Sequence, residues 1–589
     1  MLFTPNTPLM NTRFLTHSML LGLYFLWKYL FQKDILNQKI FLLIILLVGM
    51  GQAVYGLLQL YNIIPVPPNI GGFKVFGNFG NPSPYASFLG PFIPLSLGVY
   101  LLTEEKPNKN KFSLTELLIN TGLMTFLLTL LVIPATNSRS AWLGAIVGIG
   151  IVLEYKFSIF RKFKLFFTRP IYCLPEALEV DSSEAPKVTL RGPQSDMNSL
   201  RSLRPLRLSI FLLLIVSLLV TGSIFIYNYK KDSAYGRLLQ WKITANMIMD
   251  KPIFGHGFNS YGLHYNTYQA DYFAAKERSE LEKLIAGNSQ QAHNEYLEIF
   301  TELGVVGLIL FLSILFLILC NYYYAYKKQK LLSIIAFSGL IAFLIECLFT
   351  YPLQILPSLV IFVGFLSLIS GNAFILRSGF SPTNESQANI DNILKMKIEP
   401  VVTSGSQKLT ALVLLAVIST LAYTQYQNFN AHQKWHTANY YSSSQQYQVS
   451  AKLYEELLPI LKNNGSFLLN YSGTLALDGN YSEAISLLKE SEKYTNDPNL
   501  YLSLANCYKE TKEYDKAEFY YKKVENIVPH QMYPKYLLCM LFNETGKEVQ
   551  LKTKANEILN MKIKVNSTAI YEMQNEIKNI LGLQKSILK

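Results

Sequence analysis

His293 and Asn294 stand directly before an apolar run, in the stretch QAHNEYLEIFTELGVVGLILFLSILFLILC over residues 291–320. An imidazole titrates near pH 6.5, so a histidine there can take a proton from a hydroxyl near neutrality. The same residue can equally be an interfacial histidine with satisfied hydrogen bonds. Arg237 opens the stretch GRLLQWKITANMIMDKPIFGHGFNSY (236–261) at a helix start, where the dipole disfavours a cation. An anionic partner explains it better than capping does, although a solvated arginine would look the same. Arg139 in TNSRSAW (136–142) meets the end of an apolar helix. There it could snorkel to lipid phosphates or turn inward and grip a phosphate with its planar fork. Asn81 in GNFGNPSPYASF (77–88) precedes a helix start whose backbone amides could hold an anion. Glu346 lies inside an apolar segment about one turn from its end, where a carboxylate faces a partner, a cavity or nearby water.

Other chemistry is poorly supported. His432 and His436 have the i, i+4 spacing of metal ligands, but no third ligand type stands near them, so no metal is expected. His256, between the glycines of FGHGF (254–258), is a second base candidate better suited to shaping a turn. No Walker loop, nucleotide fingerprint or Asp-rich sugar-nucleotide motif occurs, and no cofactor is called for. The five cysteines form no CxxC pair, and free thiols are expected.

The elements that must carry these residues are membrane helices. Half of the chain is hydrophobic and only 16% is charged, where a soluble protein carries about a quarter. Ten apolar segments approach the length of about 20 residues that spans a bilayer: 12–31, 40–61, 84–103, 113–134, 139–156, 208–228, 296–325, 331–350, 355–376 and 409–427. The first lacks a cleavage site and reads as an uncleaved helix. The net charge of +13 sits mostly in short loops, so it reports orientation, not nucleic-acid binding. The basic loops 32–39, 104–111, 157–207, 327–330 and 377–408 all fall on one side if ten helices alternate. That side is then cytoplasmic, and both termini lie outside. The candidate residues gather on the outer face, which also carries the large loop 229–295. Within that loop a helix is predicted from about Leu238 to Asp250, with Trp241, Ala245 and Ile248 on one face.

From about residue 429 the chain is polar and Tyr-rich. YSEA (481–484) recurs as YDKA (514–517), Pro498 is echoed by Pro529, and YQVSA (447–451) is a looser copy. A period near 34 with small residues at helix contacts resembles tetratricopeptide repeats. The unit after Pro529 is degenerate and reads as a cap. The fold class is therefore all-α: a polytopic membrane bundle over 1–428, with an α-solenoid over 429–589.

Taken together, the stretches 77–95, 138–144, 236–261, 291–308 and FTYPLQ (349–354) resemble the O-antigen ligase and polymerase superfamily, across roughly residues 50–370. The resemblance implies a GT-C-like glycosyltransferase of ten to twelve helices in the bacterial inner membrane, with its tail in the periplasm. The ten segments visible here would lack two at the N-terminus. The implied donor is a glycan on undecaprenyl diphosphate, and the implied acceptor is lipid A core or a protein hydroxyl. By motif, Arg139 and Arg237 would grip the diphosphate and His293 would be the catalytic base. The placement of the residues adds Asn294, which could orient His293, and Glu346 and Asn81 as supporting candidates. A polymerase of the same superfamily is the near alternative. A non-catalytic scaffold that recruits envelope-assembly partners through the repeats is the alternative of another class, and a lipid-glycan flippase is a third. The concave surfaces that repeats form favour a protein or other large acceptor.

Overall fold

A backbone in lipid must satisfy its own hydrogen bonds, so uncharged runs of this length become helices. The computed structural model describes residues 12–65, 74–103, 113–158, 231–327, 330–371, 404–563 and 567–582. All regular elements among the described residues are helical. Five helices are long and apolar enough to cross a bilayer: Ile35–Leu60, Pro82–Leu102 taken across a break, Leu114–Thr136 with its 3-10 end, Arg139–Phe157 and Glu295–Lys327. Leu331–Glu346 and Leu356–Gly371 are shorter and equally apolar. The predicted segment 208–228 lies outside the described residues.

The chain divides into two compact units. One comprises residues 23–234 and 318–373. It contains most of α1 (Thr12–Lys33), then α2 (Ile35–Leu60), α3 (Pro82–Leu89), α4 (Phe92–Leu102), α5 (Leu114–Val132) and α6 (Arg139–Phe157). Two later helices, α11 (Leu331–Glu346) and α12 (Leu356–Gly371), complete it. Within this bundle α4 packs between α5, α6 and α11. Small residues let these backbones approach closely. A Cβ on Gly144 of α6 would stand 2.6 Å from the Ala342 carbonyl oxygen, and one on Gly148 would stand 2.7 Å from that of Ser338. The sequence predicts one helix over 84–103, but the structure breaks it between Leu89 and Phe92. Pro91 has no N–H to continue the ladder.

The second unit holds residues 1–22, 235–317 and 374–589. Its helices begin with α7 (Lys231–Asp250), α8 (Tyr261–Ala274), α9 (Glu280–Ile285) and most of α10 (Glu295–Lys327). The tail follows with α13 (Ser404–Ser443) and α14 (Tyr447–Leu461). Its helix pairs are α15/α16 (Gly465–Leu477, Tyr481–Ser491), α17/α18 (Pro498–Glu510, Tyr514–Ile527) and α19/α20 (Met532–Glu544, Glu548–Leu559). A last helix, α21 (Thr568–Ile580), buries Ile577. Ala484 and Ala517 of the repeated motif are fully buried, as their place in the repeat requires. The unit after Pro529 is a complete helix pair, so α21, and not that unit, is the terminal element among the described residues. Cys507 and Cys539 are buried free thiols.

The large loop packs with the tail. Helix α8 lies on α18. The Gln269 carboxamide donates to the Ile527 carbonyl at 2.6 Å and to the Gly287 carbonyl at 3.0 Å. Asn266 donates to the Asn496 carbonyl at 3.1 Å, and both side chains of α8 are fully buried.

Candidate active site

The predicted helix in the large loop ends at Asp250 as expected, but its buried face differs. Leu239, Gln240, Ile243, Thr244 and Met247 turn inward, while Ala245 is exposed. This face packs on Tyr261, Tyr265 and Ala292. The sequence misses it because Gln240 and Thr244 are polar. They are buried for their hydrogen bonds: Thr244 meets the Tyr261 hydroxyl at 2.9 Å, and Gln240 donates to Ser289 and to the Gln291 carbonyl.

Those bonds strap the segment before His293 onto α7. Trp241 Nε1 donates to the Ala292 carbonyl at 3.0 Å, and the Ala292 N–H donates to the buried Glu298 carboxylate at 2.8 Å. Arg237 precedes Trp241 by one helical turn and shares its face. His293 follows Ala292 with φ 49°, a left-handed conformation uncommon for a residue with a side chain. Both Arg237 and His293 are half-buried. Burial, and after it the positive charge of Arg237, push the His293 imidazole down to about 4. The ring is therefore neutral at pH 7, with a cation close enough to influence it.

Asn294 is placed at the start of α10. Its Oδ1 accepts the Leu297 N–H at 3.1 Å and its carbonyl accepts the Glu298 N–H at 3.0 Å, so it caps α10.

The face read down from His293 through Leu297 and Phe300 also stops at Gly304, where φ is +66° and the helix breaks. A Cβ at Gly304 would strike the Ile253 carbonyl, so the break fits the glycine turn of residues 252–257. That turn is bonded to the break on both sides. The His256 and Gly257 amides donate to the Thr301 and Glu302 carbonyls at 2.9 and 2.8 Å, and the Val305 amide donates to that of Pro252 at 2.9 Å. The buried Glu302 carboxylate accepts the Asn259 and Tyr261 amides at 2.9 and 3.2 Å. His256 is buried with Nε2 2.9 Å from the Met247 carbonyl, which gives it a place in the turn and not the role of base. Glu298 and Glu302 were not singled out by sequence, although acidic residues near a helix start were the available signal.

Arg139, Asn81 and Glu346 belong to the other unit. Arg139 is the first residue of α6, half-buried, after a turn in which Asn137 is left-handed at φ 52°. Asn81 caps α3 by accepting the Ser83 N–H at 2.9 Å. Pro82 and Pro84 have no N–H, and the Tyr85 N–H bonds back to the Asn81 carbonyl. This helix start therefore has no amide left to hold an anion, contrary to expectation. The loop before it is held by Gln59, whose Oε1 accepts the Phe76 and Gly77 amides at 3.1 and 2.8 Å. Glu346 is fully buried and lies against Gly90 at the break between α3 and α4, so it does not reach water.

Residues 124–312, which include Arg139, Arg237, His293 and Asn294, match the O-antigen ligase family. The chain carries an O-antigen ligase domain. Asn81 and Glu346 fall outside the matched part of this ligase domain. Residues 475–533 match a tetratricopeptide repeat. A Rickettsia conorii protein named as a candidate polysaccharide ligase is 31% identical over 142 residues, which cover 20% of this chain and 29% of that relative. The chain thus matches less than a third of the length of this curated relative.

Proposed function

We propose that the protein is a ligase-type glycosyltransferase that moves a glycan from an undecaprenyl-diphosphate carrier to an acceptor hydroxyl. The observation that carries this reading is the strapping of the segment before His293 onto the helix that carries Arg237, within residues that match the O-antigen ligase family. The hydroxyl oxygen of the acceptor attacks the anomeric carbon while the bond to the diphosphate oxygen breaks. His293 takes the hydroxyl proton, and undecaprenyl diphosphate leaves with the bonding electrons. Arg237 stabilises the charge that develops on the leaving diphosphate. Arg139 is assigned the same role by motif.

A base whose pKa is near 4 is weak until the donor binds. The diphosphate offsets the charge of Arg237, which raises the basicity of His293 when the donor is in place. A cation that depresses the base in the free enzyme then becomes part of its activation. No metal or other cofactor enters this scheme.

The basic loops support a site on the periplasmic side of the bacterial inner membrane, with the tail on the same side. There the polyprenyl chain stays in lipid while its headgroup meets the acceptor, lipid A core or a protein. We divide the chain into a membrane part, 1–428, and a repeat part, 429–589, with the loop 229–295 docked on the latter.

The test uses cells whose only copy carries His293→Ala. Long, polymerised glycan accumulating on undecaprenyl diphosphate is the expected result and identifies a ligase. Accumulation of single units would identify a polymerase instead. A carrier profile identical to wild type, with the variant present in the membrane, overturns the catalytic reading and favours a scaffold.

A further inference from the structure

The tail repeats its helices with an offset of 33 residues: α15 starts at Gly465 and α17 at Pro498, while α16 starts at Tyr481 and α18 at Tyr514. This offset carries the groups that hold α8 onto groups one repeat earlier. Asn496, which bonds Asn266, maps to Asn463. Tyr501, which meets the Thr267 hydroxyl, maps to Leu468. Lys523, which feels the Asp271 carboxylate, maps to Glu490. All three counterparts line one open, largely apolar pocket of about 400 Å³, together with Leu458, Leu487 and Lys462. Asn496 is buried under α8, whereas Asn463 is exposed.

The solenoid therefore offers the same slot twice, once filled by its own α8 and once open. We infer that the open slot docks one amphipathic helix of a partner protein, laid beside α8. The filled slot shows which kind of element fits: a helix, seated by side chains on one face. The substitutions between the two slots specify its chemistry. Leucine replaces tyrosine at Leu468 and Leu487, so the partner presents an apolar side chain where α8 has Thr267. Glutamate replaces lysine at Glu490, whose exposed ion pair with Lys493 at 2.6 Å is weak enough to be shared, so the partner presents Lys or Arg where α8 has Asp271. The α8 helix itself does not meet these demands and already occupies the neighbouring slot. This inference goes beyond glycan transfer and stands whether or not that reading survives.

The test places a photoreactive benzoylphenylalanine at Asn463 of the full-length chain in its native cells. A second strain carries it at the exposed Val549 of α20. The expected result is one discrete protein adduct from position 463 and not from 549. Its attachment point falls in a helical segment with apolar residues at i and i+3 or i+4 and a neighbouring Lys or Arg. A synthetic peptide of that segment binds the purified full-length protein, and Leu487→Lys weakens binding more than about tenfold. Leu487 is half-exposed, and unchanged thermal melting of the variant shows that the tail remains folded. No adduct, an adduct to lipid or glycan, attachment through an extended segment, or equal binding by Leu487→Lys would each overturn the inference.

Discussion

Between α6 and α11 of the bundle, backbone approaches backbone: Gly144 and Gly148 lie under the Ala342 and Ser338 carbonyls. Between α17 and α18 of the tail, rings meet rings instead, with Tyr520 stacked on Tyr501 at 6.1 Å and on Tyr508 at 5.8 Å. The solvent accounts for the difference. In water, burying a large side chain is itself a driving force, so tail helices can stand apart and fill the gap with leucine and tyrosine. In lipid a leucine gains little by leaving the acyl chains, so helices associate through close approach of small residues. Consistent with this, the bundle exposes Leu47, Val48, Leu131 and Ile146, whereas Leu500, Leu504 and Tyr521 of the tail are fully buried. The segment carrying Arg237 and His293 follows the tail's rules, with an aromatic core of Tyr261 and Tyr265 and polar straps.

The largest effect should come from the chemistry. His293→Ala is expected to lower transfer about 10²- to 10⁴-fold, the usual contribution of a positioned base. Membrane-extracted protein and labelled carrier glycan would measure it. The alanine variant should keep its tail and bundle folded, because the straps to α7 through Gln291 and Ala292 are left in place.

The packing comparison breaks if one substitution acts alike in both regions. Leu504→Ala in the tail should cost about 2–5 kcal/mol, as truncation of a buried leucine does. Gly148→Ala in the bundle goes the other way in volume and should cost about 1–3 kcal/mol by overpacking, since a Cβ there meets Pro94 at 2.6 Å. Urea unfolding of detergent-solubilised protein, read by proteolysis of each region, separates the two. A stabilising Gly148→Ala would mean that the bundle packs by side-chain burial as the tail does. Gln269→Leu tests the joint between loop and tail. It leaves the Ile527 and Gly287 carbonyls without this donor and should cost about 1–3 kcal/mol. Faster hydrogen exchange in α8, with the bundle unchanged, is the expected signature.

The same contrast explains what the sequence made legible. The tail's period was visible because water imposes a repeated apolar face, and Ala484, Tyr508 and Ala517 sit where that period puts them. Bundle helices were visible as apolar runs, and Pro91 was a visible signal for the break before α4, but the break at Gly304 depends on the Ile253 backbone that packs against it. His293 and Arg237 were legible as residues out of place beside apolar sequence. Their straps were not, because Gln240 and Glu298 are unremarkable polar residues until the fold brings a distant backbone group to them. Docking of the loop on the tail was invisible for the same reason: Asn266 and Gln269 look like solvated positions of an isolated helix.

The smallest expected effect is a displaced pH limb. With its folded pKa lowered from 6.5 to about 4, His293 in the free enzyme stays neutral as pH falls through 6 and 5. The acid limb of kcat/KM should therefore lie near pH 4, while the limb of kcat, which reports the donor complex, should lie higher. Stability follows the same sign. Between pH 6.5 and 4 the unfolded histidine binds a proton that the folded one refuses, so this residue's contribution is complete above 6.5 and is lost as pH falls toward 4. Arg237→Gln removes the cation but not the burial, so the kcat/KM limb should move up part of the way toward 6.5 even as the rate falls. Arg237→Lys keeps the charge and should leave the limb in place. Equal limbs in both variants would mean that Arg237 acts on the donor alone and does not tune the base.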